Sequence, residues 1–165
     1  MKKILLISDT HSHLDELLVK HINDADEVWH AGDIGELVVI NKIRELKPVR
    51  AVYGNIDDAE TRKEFPKNLV FTCEEVKVYI THICGKPNSY LKEVKDIIYQ
   101  EKPKVFICGH SHILKVMYQP EYDMLHMNPG ACGKHGFHQI KTALRFVIDG
   151  IEIKDLAVIE LGKRA

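Results

Sequence analysis

Long apolar runs are missing from this sequence. No run of apolar residues is longer than four, and Ile4–Ile7 is typical, whereas a membrane-spanning helix needs about 20. An excess of charge of one sign is missing as well, because 23 Lys and Arg residues are balanced by 24 Asp and Glu residues, for a formal net charge of −1. We therefore expect no membrane partner and no general electrostatic attraction to nucleic acid. No apolar leader follows Met1-Lys2-Lys3, so the expected location is cytoplasmic.

Cysteine pairs of the CxxC type are also lacking. The four cysteines are dispersed along the chain, at Cys73, Cys84, Cys108 and Cys132, so we expect reduced thiols and no disulfide framework. There is no internal repeat, low-complexity tract or linker, and 45% hydrophobic with 28% charged residues is typical of globular proteins. These features predict one domain over residues 1–165. Histidine, by contrast, is plentiful: ten are present, six of them in close pairs.

The hydrophobic pattern alternates between strand and helix over the first two-thirds of the chain. Short apolar runs predict strands at 3–8, 27–30, 49–53, 76–81 and 104–108. Helical spacing predicts helices at 36–46 and 89–101, and a capping-box pattern at 12–15 predicts a third helix, with a buried face formed by Leu14, Leu17, Leu18 and Ile22. Only strands follow, at 113–118, 122–127, 143–148 and 151–159. Parallel strand–helix units followed by antiparallel hairpins predict a mixed α/β fold, in which two sheets pack face to face with helices outside.

Five of the predicted strands end in side chains that can bind a metal. These are two aspartates, one asparagine and four histidines, namely Asp9, His11, Asp33, Asn55, His82, His110 and His112. Ligands bind outside the carboxyl ends of the strands in open α/β sheets, so we expect the seven side chains to meet at one edge. A glycine stands directly before Asp33, Asn55 and His110. Glycine there allows a sharp turn or a close approach of the backbone.

Seven candidate ligands are too many for one catalytic metal, which typically takes three protein ligands and a water. The set suits two divalent cations about 3.5–4 Å apart that share a carboxylate, an arrangement that stabilises both the attacking and the leaving oxygen in phosphoryl transfer. Two such cations against two carboxylates leave a local charge of about +2, which favours binding of a phosphate group. Manganese is the metal we expect first, and the mixed donors also suit iron, zinc, cobalt or nickel.

The order of these motifs resembles the calcineurin-like metallophosphoesterases. The similar pattern is Asp-x-His, Gly-Asp, Gly-Asn, His and Gly-His-x-His, and it extends over about residues 1–130. The short chain and the Asn128-Pro129-Gly130 motif resemble the small bacterial and archaeal phosphodiesterase branch, which is itself similar to a retromer subunit that keeps the fold as a scaffold. The resemblance implies a four-layer fold, a β-sandwich flanked by helices, and a metal-bridging hydroxide as the nucleophile.

The same resemblance implies a role for each candidate ligand. One metal would be held by Asp9, His11, Asp33 and His112, and the other by Asp33, Asn55, His82 and His110, with Asp33 as the bridge. His82 and His110 would also count as catalytic residues. The implied function is a metal-dependent phosphodiesterase acting on small phosphate esters, with nucleic acid entering only as a small nucleotide. A phosphomonoesterase, a nucleotide pyrophosphatase and a metal-poor protein-binding scaffold remain alternatives, and the oligomeric state stays open.

Three positions depart from the family pattern. Ile56 replaces the histidine that many members carry after Gly-Asn as the leaving-group acid. Cys84 stands where relatives of the small branch often have the second histidine of a His-Gly-His motif, and Ala131 replaces a serine. These departures leave the metal ligands intact and concern the handling of the substrate.

Because Ile56 cannot donate a proton, we expect another residue to serve as the general acid. The candidates are His13, His135 and His138, because histidine is the side chain best suited to donate a proton at physiological pH. We prefer His135, because a glycine follows it and Lys134 beside it can attract phosphate. The alternative is that the stretch 133–138 is an ordinary loop.

Three further residues allow both a structural and a functional interpretation. Cys84 is expected to be a small buried residue rather than a metal ligand. His30 lies inside a predicted strand, where it would be a core residue or would orient a ligand. Asp57 is expected to be a turn residue, with support of the metal site as the alternative.

Overall fold

The computed structural model describes residues 1–165 and contains twelve strands and four helices. The strands are β1 (Lys2–Ile7), β2 (Glu27–His30), β3 (Val49–Ala51), β4 (Asn68–Cys73), β5 (Val76–Thr81), β6 (Gly85–Lys86), β7 (Ser89–Tyr90), β8 (Val105–Ile107), β9 (Lys115–Gln119), β10 (Met124–Asn128), β11 (Ile140–Asp149) and β12 (Glu152–Lys163). The helices are α1 (Glu16–Asp24), α2 (Leu37–Leu46), α3 (Ala59–Glu64) and α4 (Lys92–Glu101). None of the helices is long and apolar enough to cross a membrane.

Ten of the strands form two five-stranded sheets. The first sheet has the order β12-β11-β1-β2-β3, and the second has the order β4-β5-β8-β10-β9. Three neighbouring strands run parallel in each sheet, β1-β2-β3 in the first and β5-β8-β10 in the second. The remaining strands are antiparallel to their neighbours: β4 and β9 form the two edges of the second sheet, and β11 and β12 continue the first sheet beyond β1 as the hairpin predicted around Asp149-Gly150. The predicted mixed α/β fold of two sheets is confirmed.

The chain is layered because its central strands are apolar on both faces. In β1, Ile4 and Leu6 point into a core between the two sheets, while Leu5 and Ile7 point to the opposite side, where α1 and α2 pack. Helix α4 covers the outer face of the second sheet. Each fully buried side chain of this kind contributes roughly 1.5–3 kcal/mol. The result is a layer order of helix, sheet, sheet and helix.

The beginning of α1 differs from the sequence prediction. The helix starts at Glu16, and its N-cap is Asp15, whose side chain accepts a hydrogen bond from Leu17 N. Ser12 does not cap it, because the Ser12 hydroxyl instead accepts a hydrogen bond from Glu36 N at 2.9 Å. Leu17 was expected on the buried face but is 62% exposed, so Leu18 and Ile22 form that face.

Four short elements have no counterpart among the predicted ones. They are α3, β4, β6 and β7. The predicted helix at 89–101 begins only at Lys92, because Ser89 and Tyr90 pair as β7 with β6. Strand β4 is half-buried at the sheet edge, and its periodicity is correspondingly weak.

Candidate metal centre

All seven predicted ligands lie at one end of the two sheets. Each follows the carboxyl end of a parallel strand. Asp9 and His11 follow β1, Asp33 follows β2, Asn55 follows β3, His82 follows β5, and His110 and His112 follow β8. Both sheets therefore contribute to one centre, as the strand-end positions predicted.

The first donor group consists of Asp9, His11 and His112, whose candidate ligand atoms lie within 4.8 Å of one another. His112 Nε2 is 3.1 Å from Asp9 Oδ1. The other carboxylate oxygen of Asp9 accepts hydrogen bonds from the Ser8 hydroxyl at 2.6 Å and from His110 N at 3.2 Å. These two hydrogen bonds fix the carboxylate so that Oδ1 faces the histidines.

The second donor group consists of Asp33, His82 and His110, again within 4.8 Å. His82 Nε2 is 3.2 Å from Asp33 Oδ2, and His11 Nε2 lies 3.4 Å from the same oxygen. Asp33 Oδ1 is held on the other side by Ile56 N at 3.0 Å. One oxygen of Asp33 thus faces both donor groups.

Asn55 joins the second donor group through His110. Asn55 Oδ1 is 3.0 Å from His110 Nδ1. Both residues are exposed, whereas Asp9, Asp33 and His82 are buried. The open side of the centre is therefore lined by Asn55 and His110.

Two histidine nitrogens show that the donor groups suit cations. His11 Nε2 and His82 Nε2 are buried and have no hydrogen-bond partner. The other ring nitrogen of His82 is 2.7 Å from the Ala31 carbonyl oxygen, to which Nδ1–H donates, so that Nε2 presents a lone pair to the carboxylates. A histidine held in this way by a backbone carbonyl is typical of metal ligands. The residues therefore fit divalent cations.

The electrostatics of the centre keep both carboxylates ionised. Burial alone would raise the pKa of Asp9, but the contacts with His11 and His112, the hydrogen bond from Ser8 and the charge of His82 outweigh it and hold this pKa well below its usual range. For Asp33, burial is likewise outweighed by the contact with His82 and its charge and by the hydrogen bond from Ile56 N, and its pKa is also lowered. The pKa of His82 is raised in turn, because its contacts with Asp33 and Asp9 outweigh its burial. The buried negative charge favours binding of cations.

The backbone at the ligands is strained. Asp9, His11, Asp33, His110 and His112 have φ values of 55°, 44°, 56°, 69° and 59°. A non-glycine residue in this left-handed region costs on the order of 1 kcal/mol. Such strain concentrates where a site fixes its side chains.

Two of the predicted glycines are needed for close approach. A Cβ atom on Gly54 would lie 2.1 Å from Asp33 Oδ1, and one on Gly109 would lie 2.2 Å from the Ser8 hydroxyl and 2.8 Å from Asp9 Oδ2. Neither glycine needs a positive φ. Their role is to leave room for the two carboxylates.

Asp57 supports the centre to an extent that the sequence did not predict. The side chain is 4% exposed and accepts hydrogen bonds from Gly54 N at 2.7 Å, Gly35 N at 2.9 Å and Ile34 N at 3.2 Å. It thereby joins the segment that carries Asp33 to the segment that carries Asn55. The only sequence signal was an aspartate two residues after Gly-Asn.

His30 is a second supporting residue. It is fully buried, and its Nδ1 accepts a hydrogen bond from Gly32 N at 3.1 Å while Nε2 lies 3.0 Å from the Thr10 hydroxyl. Burial lowers the pKa of His30 to about 4. A neutral ring therefore connects the turns after β1 and β2.

The loop 133–138 (Gly133–His138) lies over the first donor group. The ring of His135 contacts the ring of His11 at a tilt of 32° with centroids 4.9 Å apart, and the ring of His138 meets His112 edge-on at 5.1 Å. A Cβ atom on Gly136 would lie 2.2 Å from His112 Nδ1, so only glycine allows this approach. Arg164, after β12, donates from Nε to the His138 carbonyl at 2.8 Å and thereby holds the loop.

Two clefts adjoin the open side of the centre. One of about 500 Å³ extends from His110 past Lys86 and Lys115. The other, of about 250 Å³, extends from Asn55 past Arg62 and Lys67. Both clefts carry basic side chains, which suit an anionic ligand.

Carboxylates and histidines gathered at the strand ends of a two-sheet α/β sandwich define the fold class of the metallophosphoesterases. A family model described as the calcineurin-like phosphoesterase superfamily domain matches residues 1–150. The chain belongs to this superfamily, and it is a metal-binding phosphoesterase by membership. The resemblance seen in the motifs is thereby confirmed.

Individual relatives agree with this membership. The chain is 28% identical to a probable metallophosphoesterase of Methanothermobacter thermautotrophicus over 131 residues, which cover 76% of this chain and 74% of that protein. An archaeal phosphodiesterase structure is similar with a TM-score of 0.70 and 25% identity, covering 95% of this chain and 99% of that one. Vacuolar protein sorting 29 from Cryptosporidium parvum is similar with a TM-score of 0.76 and 18% identity, covering 98% of both chains. The last similarity concerns the fold alone.

Proposed function

We propose that the protein is a dinuclear metal-dependent phosphodiesterase. The observation that carries this proposal is the position of Asp33 Oδ2, which is 3.4 Å from His11 Nε2 and 3.2 Å from His82 Nε2. A single oxygen that faces both donor groups suits a carboxylate shared by two cations. We assign Asp9, His11, Asp33 and His112 to one cation and Asp33, Asn55, His82 and His110 to the other. Manganese is the expected metal, and iron, zinc, cobalt or nickel would suit the same donors.

The chain's own groups position the reaction. When bound, the cations supply Lewis acidity and lower the pKa of water, so that a nucleophile exists near neutral pH. The Ser8 hydroxyl donates a hydrogen bond to one oxygen of Asp9, and Ile56 N donates one to an oxygen of Asp33. The remaining oxygen of each carboxylate is thereby directed to the cations. His110 and Asn55, on the exposed side, would contact the phosphoryl group.

The two clefts favour a diester over a monoester. A phosphodiester carries an organic group on each side of the phosphorus, and the centre is flanked by a cleft on the His110 side and a cleft on the Asn55 side. Each cleft can hold one of these groups, with Lys86 or Lys67 available for further negative charge. A monoester would leave one cleft unused.

We further propose His135 as the general acid. It is exposed, and its ring centroid lies 4.9 Å from that of His11. His138 is engaged elsewhere, since Nε2 is 2.8 Å from the Gly133 carbonyl oxygen and burial lowers its pKa. Burial also lowers the pKa of His13, whose Nε2 lies 4.0 Å from Asp15 Oδ2. His135 alone is both near the donor groups and free to reach a leaving group.

The acid is tested with alanine variants of His13, His135 and His138 on diesters with good and poor leaving groups. His135→Ala should lose about 10²–10⁴-fold on the poor leaving group and far less on the good one, with unchanged metal content. The other two variants are the matched controls. If all three variants lose rate equally on both substrates, or lose none, then none of these three histidines acts as the acid.

The proposed function is tested by metal analysis and a substrate pair. Protein reconstituted with Mn²⁺, a metal that oxygen and nitrogen donors favour over thiolates, should hold about two equivalents of Mn²⁺ and should hydrolyse bis-p-nitrophenyl phosphate faster than p-nitrophenyl phosphate. Asp58→Asn, which alters an exposed helix cap and none of the proposed ligands, serves as the control variant. Preference for the monoester would instead support a phosphomonoesterase or pyrophosphatase. Full metal loading without hydrolysis of either ester, or no metal binding, would support a protein-binding scaffold.

We also propose that residues 1–165 form one domain. The family match ends at residue 150, yet β12 follows it and pairs with β11 along most of its length. Ile159 and Leu161 of β12 are buried in the core that α1 and α2 share with the first sheet. The cytoplasmic location and the small-molecule partner stay predictions.

A further inference from the structure

A second group of metal-binding side chains lies outside the centre, between the second sheet and α4. It consists of Cys84, Cys108 and His126, which are 5%, 2% and 2% exposed. Their ligand atoms lie within 4.8 Å of one another. We propose that these three residues, here called the sulfur cluster, bind one Zn²⁺ ion at a site separate from the dinuclear centre.

The contacts within the sulfur cluster point to a shared ligand. The two Sγ atoms are 2.8 Å apart, and Cys108 Sγ lies 3.8 Å from His126 Nε2. Two thiolates on one zinc ion, with Zn–S bonds of about 2.3 Å, would lie about 3.8 Å apart. Zinc binding would therefore require the two sulfur atoms, now 2.8 Å apart, to separate by about 1 Å.

His126 is oriented as a metal ligand. Its Nδ1 is 2.7 Å from the Tyr90 hydroxyl, and the two rings stack with an angle of 16° between their planes. When Nδ1–H donates to Tyr90, Nε2 presents its lone pair to the sulfur atoms. Metal-binding histidines commonly donate their other ring N–H in this way.

The donor set of the sulfur cluster is softer than that of the dinuclear centre. Thiolates favour zinc or copper(I), whereas carboxylate and amide oxygens favour harder cations. Two cysteines and one histidine leave the fourth position of a tetrahedral zinc ion open. The cleft of about 500 Å³ that begins at His110 is also lined by all three residues of the sulfur cluster, so water can fill that position.

Zinc at this position would fix two ligand segments of the dinuclear centre. Cys84 lies two residues after His82, and Cys108 lies two residues before His110. The segments already touch, since Gly109 N donates to the His82 carbonyl at 3.0 Å. The zinc ion would therefore act as a positioning element for His82 and His110, not as a catalytic group.

Cobalt substitution separates the two sites. The dinuclear centre offers only nitrogen and oxygen donors, so a sulfur-to-cobalt charge-transfer band in the near ultraviolet reports the sulfur cluster alone. Reduced full-length protein loaded with Co²⁺ should show this band. It should vanish in Cys84→Ser and Cys108→Ser, together with about one equivalent of bound zinc. The band should persist in Asp33→Ala, which affects only the dinuclear centre. It should also persist in the control Cys73→Ser, because Cys73 is a buried cysteine in the core between the two sheets.

A milder variant covers the case in which the cysteine variants do not fold. Tyr90→Phe removes only the hydroxyl that contacts His126 and should weaken zinc binding by about 10–100-fold, with the cobalt band retained at saturation. Absence of the band in the folded, reduced wild-type protein would overturn the proposal, as would unchanged zinc affinity in Tyr90→Phe. A Cys84–Cys108 disulfide found by mass spectrometry in protein prepared with reductant would also overturn it.

Discussion

Replacement of Asp57 by asparagine tests whether this side chain supports the metal centre. The variant keeps the shape of the side chain but replaces one acceptor oxygen with an NH₂ donor. The less costly orientation places the NH₂ group against Gly35 N and keeps the contacts to Gly54 N and Ile34 N. The loss of one hydrogen bond to a charged group should lower the free energy of unfolding by about 2–3 kcal/mol. For a chain of this size this corresponds to a Tm lower by about 4–12 °C.

The measurement is urea unfolding of the metal-free protein in chelator, so that metal binding does not contribute to stability. Asp58→Asn is the matched control, because asparagine and aspartate cap a helix equally well and the change should stay below about 0.5 kcal/mol. Metal titration should show affinity about 10–100-fold weaker in Asp57→Asn. If the two variants unfold alike and bind metal alike, Asp57 is an ordinary turn residue and the reasoning is refuted.

Three further predictions follow from the donor groups and their supports. Asp33→Ala should weaken both metals, whereas His112→Ala should chiefly weaken one; retention of both metals in Asp33→Ala would contradict the bridging role. Single-turnover hydrolysis in ¹⁸O-labelled water should place the label directly in the phosphate product, and a trapped phosphoryl-enzyme would contradict attack by water. Because burial lowers the pKa of His30 from 6.5 to about 4, the unfolded chain binds a proton between these pH values that the folded protein does not, so stability falls as the pH is lowered through this range. His30→Gln should reduce that slope of stability against pH by up to about 1.4 kcal/mol per pH unit, and an unchanged slope would show that His30 does not titrate as stated.

The strand ends that carry the donor groups could be predicted because they depend on local pattern. The buried strands β2 and β5 were predicted with the bounds that the structure has, since short runs rich in β-branched and aromatic residues indicate strands. Asp33 and His82 then follow at the point where each run ends. The convergence of the ligands from both sheets at one edge could be predicted from the parallel direction of these strands alone.

The residues that sequence reasoning misplaced depend on contacts distant in the chain. Ser12 has the type and spacing of a helix cap, but the nearby Glu36 N competes for its hydroxyl, and Asp15 caps the helix instead. Leu17 was then assigned to the wrong face. Asp57 receives its three N–H donors from turns that follow two different strands, and no local pattern shows that they converge. Helix α3 is only six residues long, too short for a clear periodicity.

The contact between Arg164 and the loop 133–138 has a practical consequence for handling the protein. Arg164 holds the His138 carbonyl, and its backbone N–H donates to the Gln139 carbonyl at 2.9 Å. A purification tag or reporter fused after residue 165 would therefore pull on the segment that carries His135. Met1 contacts Glu74, in the turn between β4 and β5 and away from the donor groups, so fusions at this end would leave the loop undisturbed.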